Sequence, residues 1–450
     1  MIRIAYVLGA VLTLCVPRLI QASTPALAVT KHTLDNGLEV ILHENHRLPF
    51  VTVEVLYRAG SGSEPPGKSG LAHLLEHMAN SGGSAHIRLG GNVELIQSMG
   101  GSVEAATGLD ATYYYSFAPA NHLETLLWIQ SERMGFLEPA LTEALLTRDK
   151  ASVKNERRQR VEGTPYGAIY GLAALKALQL LFPVPHPYFG NVLGSDEEID
   201  SITLEDVKTF YLSYYCPSNA SILIDGDFEA SQVQDLVAKY FQGLPTCRDQ
   251  PAAAVSFQAP PETERRGTVL ARVNAPQVSF AWLTGPAFST GDSELDLLSI
   301  VLGDGQGGIL HKRLVSSLRI ASEASCQYRA GLYSSIFKCD IVMAPSTSED
   351  QIAREMDAII ENVRNRGPST AELARAKARW KARIFGRMES TFARAYLINY
   401  QYRRLAGDAA HFEPDLSQHE AVTSNLVRDI AGRFLDPSKR VVVMMRPTGK

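Results

Sequence analysis

No two cysteines in this chain stand in a C-x-x-C spacing, and there are only five cysteines in 450 residues. A cysteine-based site therefore has no pattern here to rival one built from histidines. An excess of one charge is also missing: 44 Lys and Arg stand against 48 Asp and Glu, a formal net charge of −4. Without a basic surplus, bulk electrostatics gives nucleic acid no foothold, and that class of function is excluded. Long apolar runs are absent after residue 16, so no later segment reads as a membrane span. What remains is 45% hydrophobic and 20% charged. That is enough to bury a sizeable core, in a chain too long for one typical domain, so two or more domains are expected.

The start of the chain has the form of a secretory signal. Met1-Ile2-Arg3 supplies a positive end, Ile4 to Val16 an apolar core, and small residues follow. Ala26-Leu27-Ala28 fits the small-x-small cleavage pattern, giving a signal over 1–28, and cleavage after Ala22 is the competing site. An exported chain, most simply in a bacterial periplasm, is the expectation, with no membrane span once the signal is cut. Disulfides are permitted there. Cys326 and Cys339 flank a hairpin turn and could face each other across two strands. Two free buried thiols fit equally well, and the pairing of Cys216, Cys247, Cys326 and Cys339 stays open.

The stretch richest in chemistry is Gly70-Leu71-Ala72-His73-Leu74-Leu75-Glu76-His77-Met78. At about 100° per residue, His73 and His77 lie one turn apart on one helix face with Glu76 beside them. With 11 histidines in the chain, H-x-x-E-H arises by chance in only about one or two per cent of such sequences. A metal is therefore favoured over two core histidines satisfied by hydrogen bonds. A catalytic zinc takes three protein ligands and keeps one position open, so a third ligand must come from elsewhere.

H-x-x-E-H is the inverzincin order. With Gly60-Ser61-Gly62-Ser63-Glu64 before it, the stretch resembles the pitrilysin/insulinase family of zinc peptidases. The resemblance continues in Gly100-Gly101, Thr107, Asp110 and Thr112, in Val153-Lys154-Asn155-Glu156-Arg157-Arg158-Gln159, and in Tyr215-Cys216-Pro217-Ser218-Asn219-Ala220. It implies one zinc per chain, held by His73, His77 and Glu156, with Asp149 supporting a ligand from seven residues before Glu156. It also implies an endopeptidase in which Glu76, not a ligand, takes the proton of a zinc-activated water. Peptide would lie as an added strand beside Glu104, Ala105 and Thr107. Glu104 departs from the Asn that is common in the family.

Around these motifs, Asn36-Gly37 predicts a tight hairpin, and residues 51–57 and 113–119 read as strands. Residues 121–135, 143–160 and 369–405 read as helices, the last opening on a Ser369-x-x-Glu372 capping box. Gly303 to Gly308 contains G-x-G-x-x-G, but helical spacing rather than a strand precedes it, so it is no dinucleotide site.

A repeat is visible without the family. Cys216-Pro217-Ser218-Asn219 and the apolar run after it resemble Asp436-Pro437-Ser438-Lys439 and its own apolar run, at an offset of 220 residues. The expected fold is α+β: two tandem homologous α/β-sandwich halves, 29–243 and 267–450, joined by a proline- and alanine-rich linker over 244–266. Carried back by that offset, the motif falls near Ser293 to Leu297, where no histidine stands, so the second half is expected to be metal-free. In many family members the second half supplies an Arg and a Tyr that hold substrate. Here Ser322 stands in the Tyr position, after Arg319. That departure implies a homologous partner subunit, in a heterodimer or else a homodimer closing like a clam.

Overall fold

The computed structural model describes residues 27–167, 169–248 and 259–448. The first half opens with the expected hairpin: β1 (Thr30–Thr33) pairs antiparallel with β2 (Glu39–Glu44). Gly37 in its turn has φ 88°, a left-handed conformation that glycine adopts without penalty. There follow β3 (Phe50–Tyr57), α1 (Leu71–Ser81), α2 (Gly91–Ser98), β4 (Ser102–Thr107), β5 (Thr112–Pro119), α3 (Leu123–Gly135) and α4 (Glu143–Arg157). Then come α5 (Leu172–Leu181), α6 (Asp196–Ser201), α7 (Leu204–Tyr214), β6 (Ala220–Gly226) and α8 (Ala230–Phe241). The strands form one sheet in the order β1-β2-β6-β3-β5-β4. Only the β2–β6 pair is parallel.

The second half repeats this plan with β7 (Arg265–Ala271), β8 (Gln277–Thr284), α9 (Asp292–Gly303), β9 (Ala321–Arg329), β10 (Ser335–Met343) and α10 (Glu349–Arg366). It closes with α11 (Thr370–Glu389), α12 (Thr391–Ala395), a π-helical stretch over Tyr396–Ala406, α13 (Phe412–Ala421), α14 (Ser424–Phe434) and β11 (Val441–Pro447). Its sheet order, β7-β11-β8-β10-β9, matches β2-β6-β3-β5-β4 strand for strand. The only parallel pair, β7–β11, falls in the same place. The two-half α+β architecture read from the 220-residue offset is therefore the architecture of the molecule.

Three expectations are adjusted. Arg265 and Arg266 belong to β7, where they pair with Val441 and Val442, so the linker ends two residues earlier than 266. The helix expected over 369–405 starts on its capping box but breaks at Ser390, whose backbone is extended and whose side chain caps a new helix through Ala393 N–H. The signal expected over 1–28 lies almost wholly outside the described residues.

The break at Ser390 has a structural consequence. It turns α12 and the π-helical stretch onto the first sheet, while α5 crosses the other way onto the second. Ala173, Ala177, Leu178 and Leu181 of α5 pack with Ala281, Leu283, Val441 and Val443 of the second sheet. In return Phe392 meets Tyr115 edge-on at 4.9 Å. Asn399 Nδ2 donates to Glu54 Oε1 (3.0 Å), and its Oδ1 accepts from Ser221 Oγ (2.6 Å). Arg394 clasps the fully buried Asp225 (Nη2 to Oδ2, 2.7 Å), which His43 also meets through Nδ1 at 2.6 Å. β3 is buried on both faces for this reason, polar Thr52 and Glu54 included. Removing Arg394 would leave a buried carboxylate with one partner fewer, a loss of about 3–5 kcal/mol.

Both hairpin cysteines pair: Cys326 lies opposite Cys339 in the β9–β10 register and is bonded to it, and Cys216 is bonded to Cys247. The G-x-G-x-x-G segment is a packing feature. A Cβ on Gly303 would fall 1.9 Å from the backbone nitrogen of Cys326, so only glycine lets α9 approach β9 there.

Burial pushes Glu54 up to about 8, against the opposing hydrogen bond from Asn399. The folded state thus keeps a proton that the unfolded chain releases above about 4.5. Glu54 therefore contributes stability below that value and loses it as pH rises toward 8. Melting temperatures at pH 5, 6.5 and 8 should fall less steeply in Glu54→Gln than in the parent. Equal slopes would mean that Glu54 is ionised throughout.

Candidate metal centre

α1 begins after Gly70, which has φ 94° and offers no capping side chain. Glu64, from the preceding loop, does the capping instead, accepting from the N–H groups of Gly70 (3.1 Å) and Ala72 (2.8 Å). Leu71, Leu74, Leu75 and Met78 join the hydrophobic core of the first half. The packing of this apolar stripe turns His73, Glu76 and His77 toward α4 and β4. Glu156 comes from the last turn of α4, 79 residues after His77.

The three expected ligands converge. His73 Nε2 and His77 Nε2 are 3.2 Å apart. Glu156 Oε2 lies 3.0 Å from His77 Nε2 and 3.5 Å from His73 Nε2. Three donors at about 2.1 Å from a tetrahedral ion are separated by about 3.4 Å, so the spacing suits a single zinc-sized cation. Among the described residues no other group of three His, Cys, Asp or Glu side chains converges in this way.

The electrostatics favour a cation. Burial, with help from neighbouring His77, pushes His73 down to about 4, leaving a neutral imidazole. The hydrogen bond from His77 and the nearby cationic groups outweigh burial and hold Glu156 at about 2, fully ionised. Burial raises Glu76 to about 7. Burial opposes a proton on His77, but the surrounding carboxylates hold it above its ordinary value. A neutral imidazole, a carboxylate and a second imidazole drawn to positive charge are the donors a divalent cation takes.

Other site residues do different work from that expected. Thr107, expected on the substrate side, is buried and donates to Glu76 Oε2 at 2.9 Å, so it aims the carboxylate. Asp149 makes no hydrogen bond to a ligand side chain among the described residues. It accepts from Arg148 Nε (2.8 Å) and lies 3.2 Å from Ser81 Oγ, whose hydroxyl donates to the carbonyl of His77 (2.8 Å), so it also supports the helix backbone there. Glu104 is exposed and Ala105 half-buried on β4, the last strand of its sheet, whose outer edge pairs with no strand among the described residues.

Arg160 was missed. Its Nε forms an ion pair with Glu156 Oε1 at 2.7 Å, leaving Oε2 for the histidines, and its guanidinium lies over Tyr170 at 5.4 Å. The spacing of four from Glu156 was legible as a helical pair.

In the second half, Gly291 repeats the left-handed helix start of Gly70, with φ 98°. Aligning these two glycines shifts the correspondence to 221 residues and places Glu294 and Leu298 opposite His73 and His77. The offset of 220 is one residue short here because the chain from this glycine to the repeated turn, Gly70 to Cys216 against Gly291 to Asp436, is one residue longer in the first half. No histidine stands there in either register. Ser322 is exposed on β9 with its Oγ 3.4 Å from the carbonyl of Val342, and Arg319 just before it has φ 55°.

Two sequence profiles match the chain, the second of them beginning inside the first half. Residues 39–166 match the profile described as "Insulinase (Peptidase family M16)" and residues 201–379 that of "Peptidase M16 inactive domain", together more than half of the chain. The chain belongs to peptidase family M16. Among relatives in this M16 family, the zinc protease PqqE of Helicobacter pylori is 29% identical over 92% of both chains. A probable mitochondrial-processing peptidase subunit beta of Arabidopsis thaliana is 28% identical over 49% of this chain and 40% of its own. The crystal structure of a protease from Helicobacter pylori superimposes with a TM-score of 0.86 at 26% identity, covering 94% of this chain and all of that one. An M16 inactive-domain structure from Pseudomonas fluorescens, at 20% identity, shares the fold with a TM-score of 0.80 over 94% of this chain and 98% of its own.

Because Arg160 fixes which carboxylate oxygen faces the histidines, Arg160→Gln should weaken zinc binding by about 10- to 100-fold in competition with a chromogenic chelator. Arg160→Lys should recover part of that loss. Unchanged affinity in Arg160→Gln would show that Glu156 is held without it.

Proposed function

We propose that this protein is a zinc metalloendopeptidase that hydrolyses peptide bonds in extended or unstructured peptides. The observation that carries the reading is the meeting of His73, His77 and Glu156 around one ion-sized space with Glu76 beside it, its carboxylate anchored at one oxygen by Thr107. Bound by those three residues, zinc supplies Lewis-acid activation of water and of the scissile carbonyl. Glu76 accepts the proton of the attacking water and delivers it to the leaving amine. The hydrogen bond from Thr107 occupies Oε2 and leaves Oε1 for that transfer. The outer edge of β4 offers backbone groups to an extended peptide, with Glu104 and Ala105 along it, which favours recognition of backbone over sequence.

A homologous partner fits the same reading. Ser322 is too short to do the work of a tyrosine, so the substrate-holding Arg and Tyr would come from a second subunit, in a heterodimer or a homodimer. The likeness to proteins named as mitochondrial-processing peptidase subunits supports this. Export is part of the proposal as well: two disulfides suit an oxidising compartment. Leu27 is only 2% exposed and packs in the core of the second half with Ile41 and Tyr115. Cleavage after Ala28 would remove that side chain, so cleavage after Ala22 is preferred.

Purified mature protein and Glu76→Gln should each carry one zinc, and Glu76→Gln should lose about 10²- to 10⁴-fold in cleavage of an unstructured peptide. Activity that appears only after a homologous subunit is added would establish the shared site. Zinc without cleavage in any combination would instead mark a silent peptide-binding subunit, and absence of zinc would refute the ligand set. Sequencing of the exported protein should find Ser23 at the amino terminus; a start at Val29 would reject the role given to Leu27.

A further inference from the structure

The second half has a cavity of its own. It lies between α9 and α11, the counterparts of the helices that bring the candidate ligands together, and it is closed by the π-helical stretch and α13. Its volume is about 170 Å³. Phe288, Trp380, Ile384 and Leu405 provide its apolar surface.

The charges around it come in opposed pairs. α9 presents Asp292 and Asp296 one turn apart, and α11 presents Arg383 and Arg387 one turn apart. Most of these groups are already occupied. Tyr328 donates to Asp292 (2.6 Å), Arg387 to Gln401 (2.6 Å), and Tyr402 to Asp415 (3.0 Å). His419 is 3% exposed, stacks on Trp380 at 3.8 Å and meets Asp415 through Nδ1 at 2.9 Å. Its Nε2 has no hydrogen-bond partner, with Asp296 Oδ2 3.4 Å away. Burial works against a proton on His419, but Asp296 and Asp415 outweigh it and hold the imidazole at about 10.

Two groups remain available. Arg383 has neither a hydrogen bond nor an ion pair among the described residues, and Asp296 keeps one carboxylate oxygen free. They line the same cavity, and a second cavity of about 180 Å³ beside it, without pairing with each other. An unpaired cation and a carboxylate that faces His419 through one oxygen and keeps the other open complement a molecule carrying both charges. A guanidinium takes a carboxylate in a bidentate grip. A carboxylate together with a tryptophan face takes an ammonium. A simple anion would be repelled by Asp296, and a simple cation by Arg383 and His419.

We propose that this cavity binds a small zwitterion of one or two residues, a free α-amino acid with an apolar side chain or a dipeptide. Its carboxylate lies on Arg383, its ammonium near Asp296 and its side chain against Phe288, Ile384 and Leu405. Occupancy needs no metal at the first-half centre.

The test is calorimetric titration of the mature protein with L-phenylalanine, N-acetyl-L-phenylalanine and phenethylamine, with tryptophan fluorescence reporting on Trp380. Phenylalanine should saturate one site, and the two singly charged analogues should bind at least about tenfold more weakly. Arg383→Ala should weaken phenylalanine binding by about tenfold or more. Arg383 is exposed and unpaired, so this variant should keep the parent's circular dichroism and zinc content, which separates the result from any failure of the peptidase reading. Asp296→Asn should act in the same direction, and phenylalanine binding should survive removal of zinc by chelator. No saturable binding up to about 10 mM, equal binding of the analogues, undiminished binding in Arg383→Ala, or loss of binding on zinc removal would each overturn the assignment.

Discussion

Each sheet of this protein has an inner face that its own half cannot cover, and the rest of the structure depends on how that is resolved. α5 leaves the first half to cover the second sheet, and α12 with the π-helical stretch returns the cover. The exchange explains why strands carrying Thr52, Glu54, Ser221 and Asp225 are buried on both sides. Glu54, Ser221 and Asp225 are tolerated in central strands because the incoming helices bring their partners, Asn399 and Arg394. Unpaired, any one of them would cost about 1–3 kcal/mol or more, so the two halves depend on each other for stability.

The metal centre inherits that rigidity. The residues that would hold the ion stand on two helices, with His77 and Glu156 79 residues apart, and their spacing is set by packing under the apolar faces of α1 and α4. Supporting residues then refine the aim: Thr107 holds Glu76, Arg160 takes the spare oxygen of Glu156, and Ser81 with Asp149 steadies the carbonyl side of His77. Such fixed donors lose little freedom when an ion or a transition state arrives.

Comparison of the halves shows how one frame carries different chemistry. The two helices that hold imidazoles and a carboxylate in the first half hold aspartates and arginines in the second. The left-handed glycines at Gly70 and Gly291 start the paired helices alike. The side chains that follow decide whether the space between the helices attracts a cation or a molecule of mixed charge.

Local chemistry was legible in the residues themselves. Asn36-Gly37 marked its hairpin, the i, i+4 histidines with Glu76 marked a metal-facing helix, and two copies of one strand-and-turn pattern marked the tandem halves. These features depend on neighbours within a few residues, or on likeness between distant segments, and both are written in the chain order. Thr107, Arg160 and Glu64 were read incompletely because their roles depend on which atom of a distant carboxylate or helix start they meet. The break at Ser390 escaped notice because a capping serine within a long helical pattern is indistinguishable from an exposed one until the far sheet draws the chain away. By itself, then, the sequence determined most of the elements, the repeat and the candidate donors. Tertiary structure alone decided which sheet each crossing helix covers, how the cysteines pair and how close the three donors come, because those outcomes rest on packing between segments that the sequence keeps tens to hundreds of residues apart.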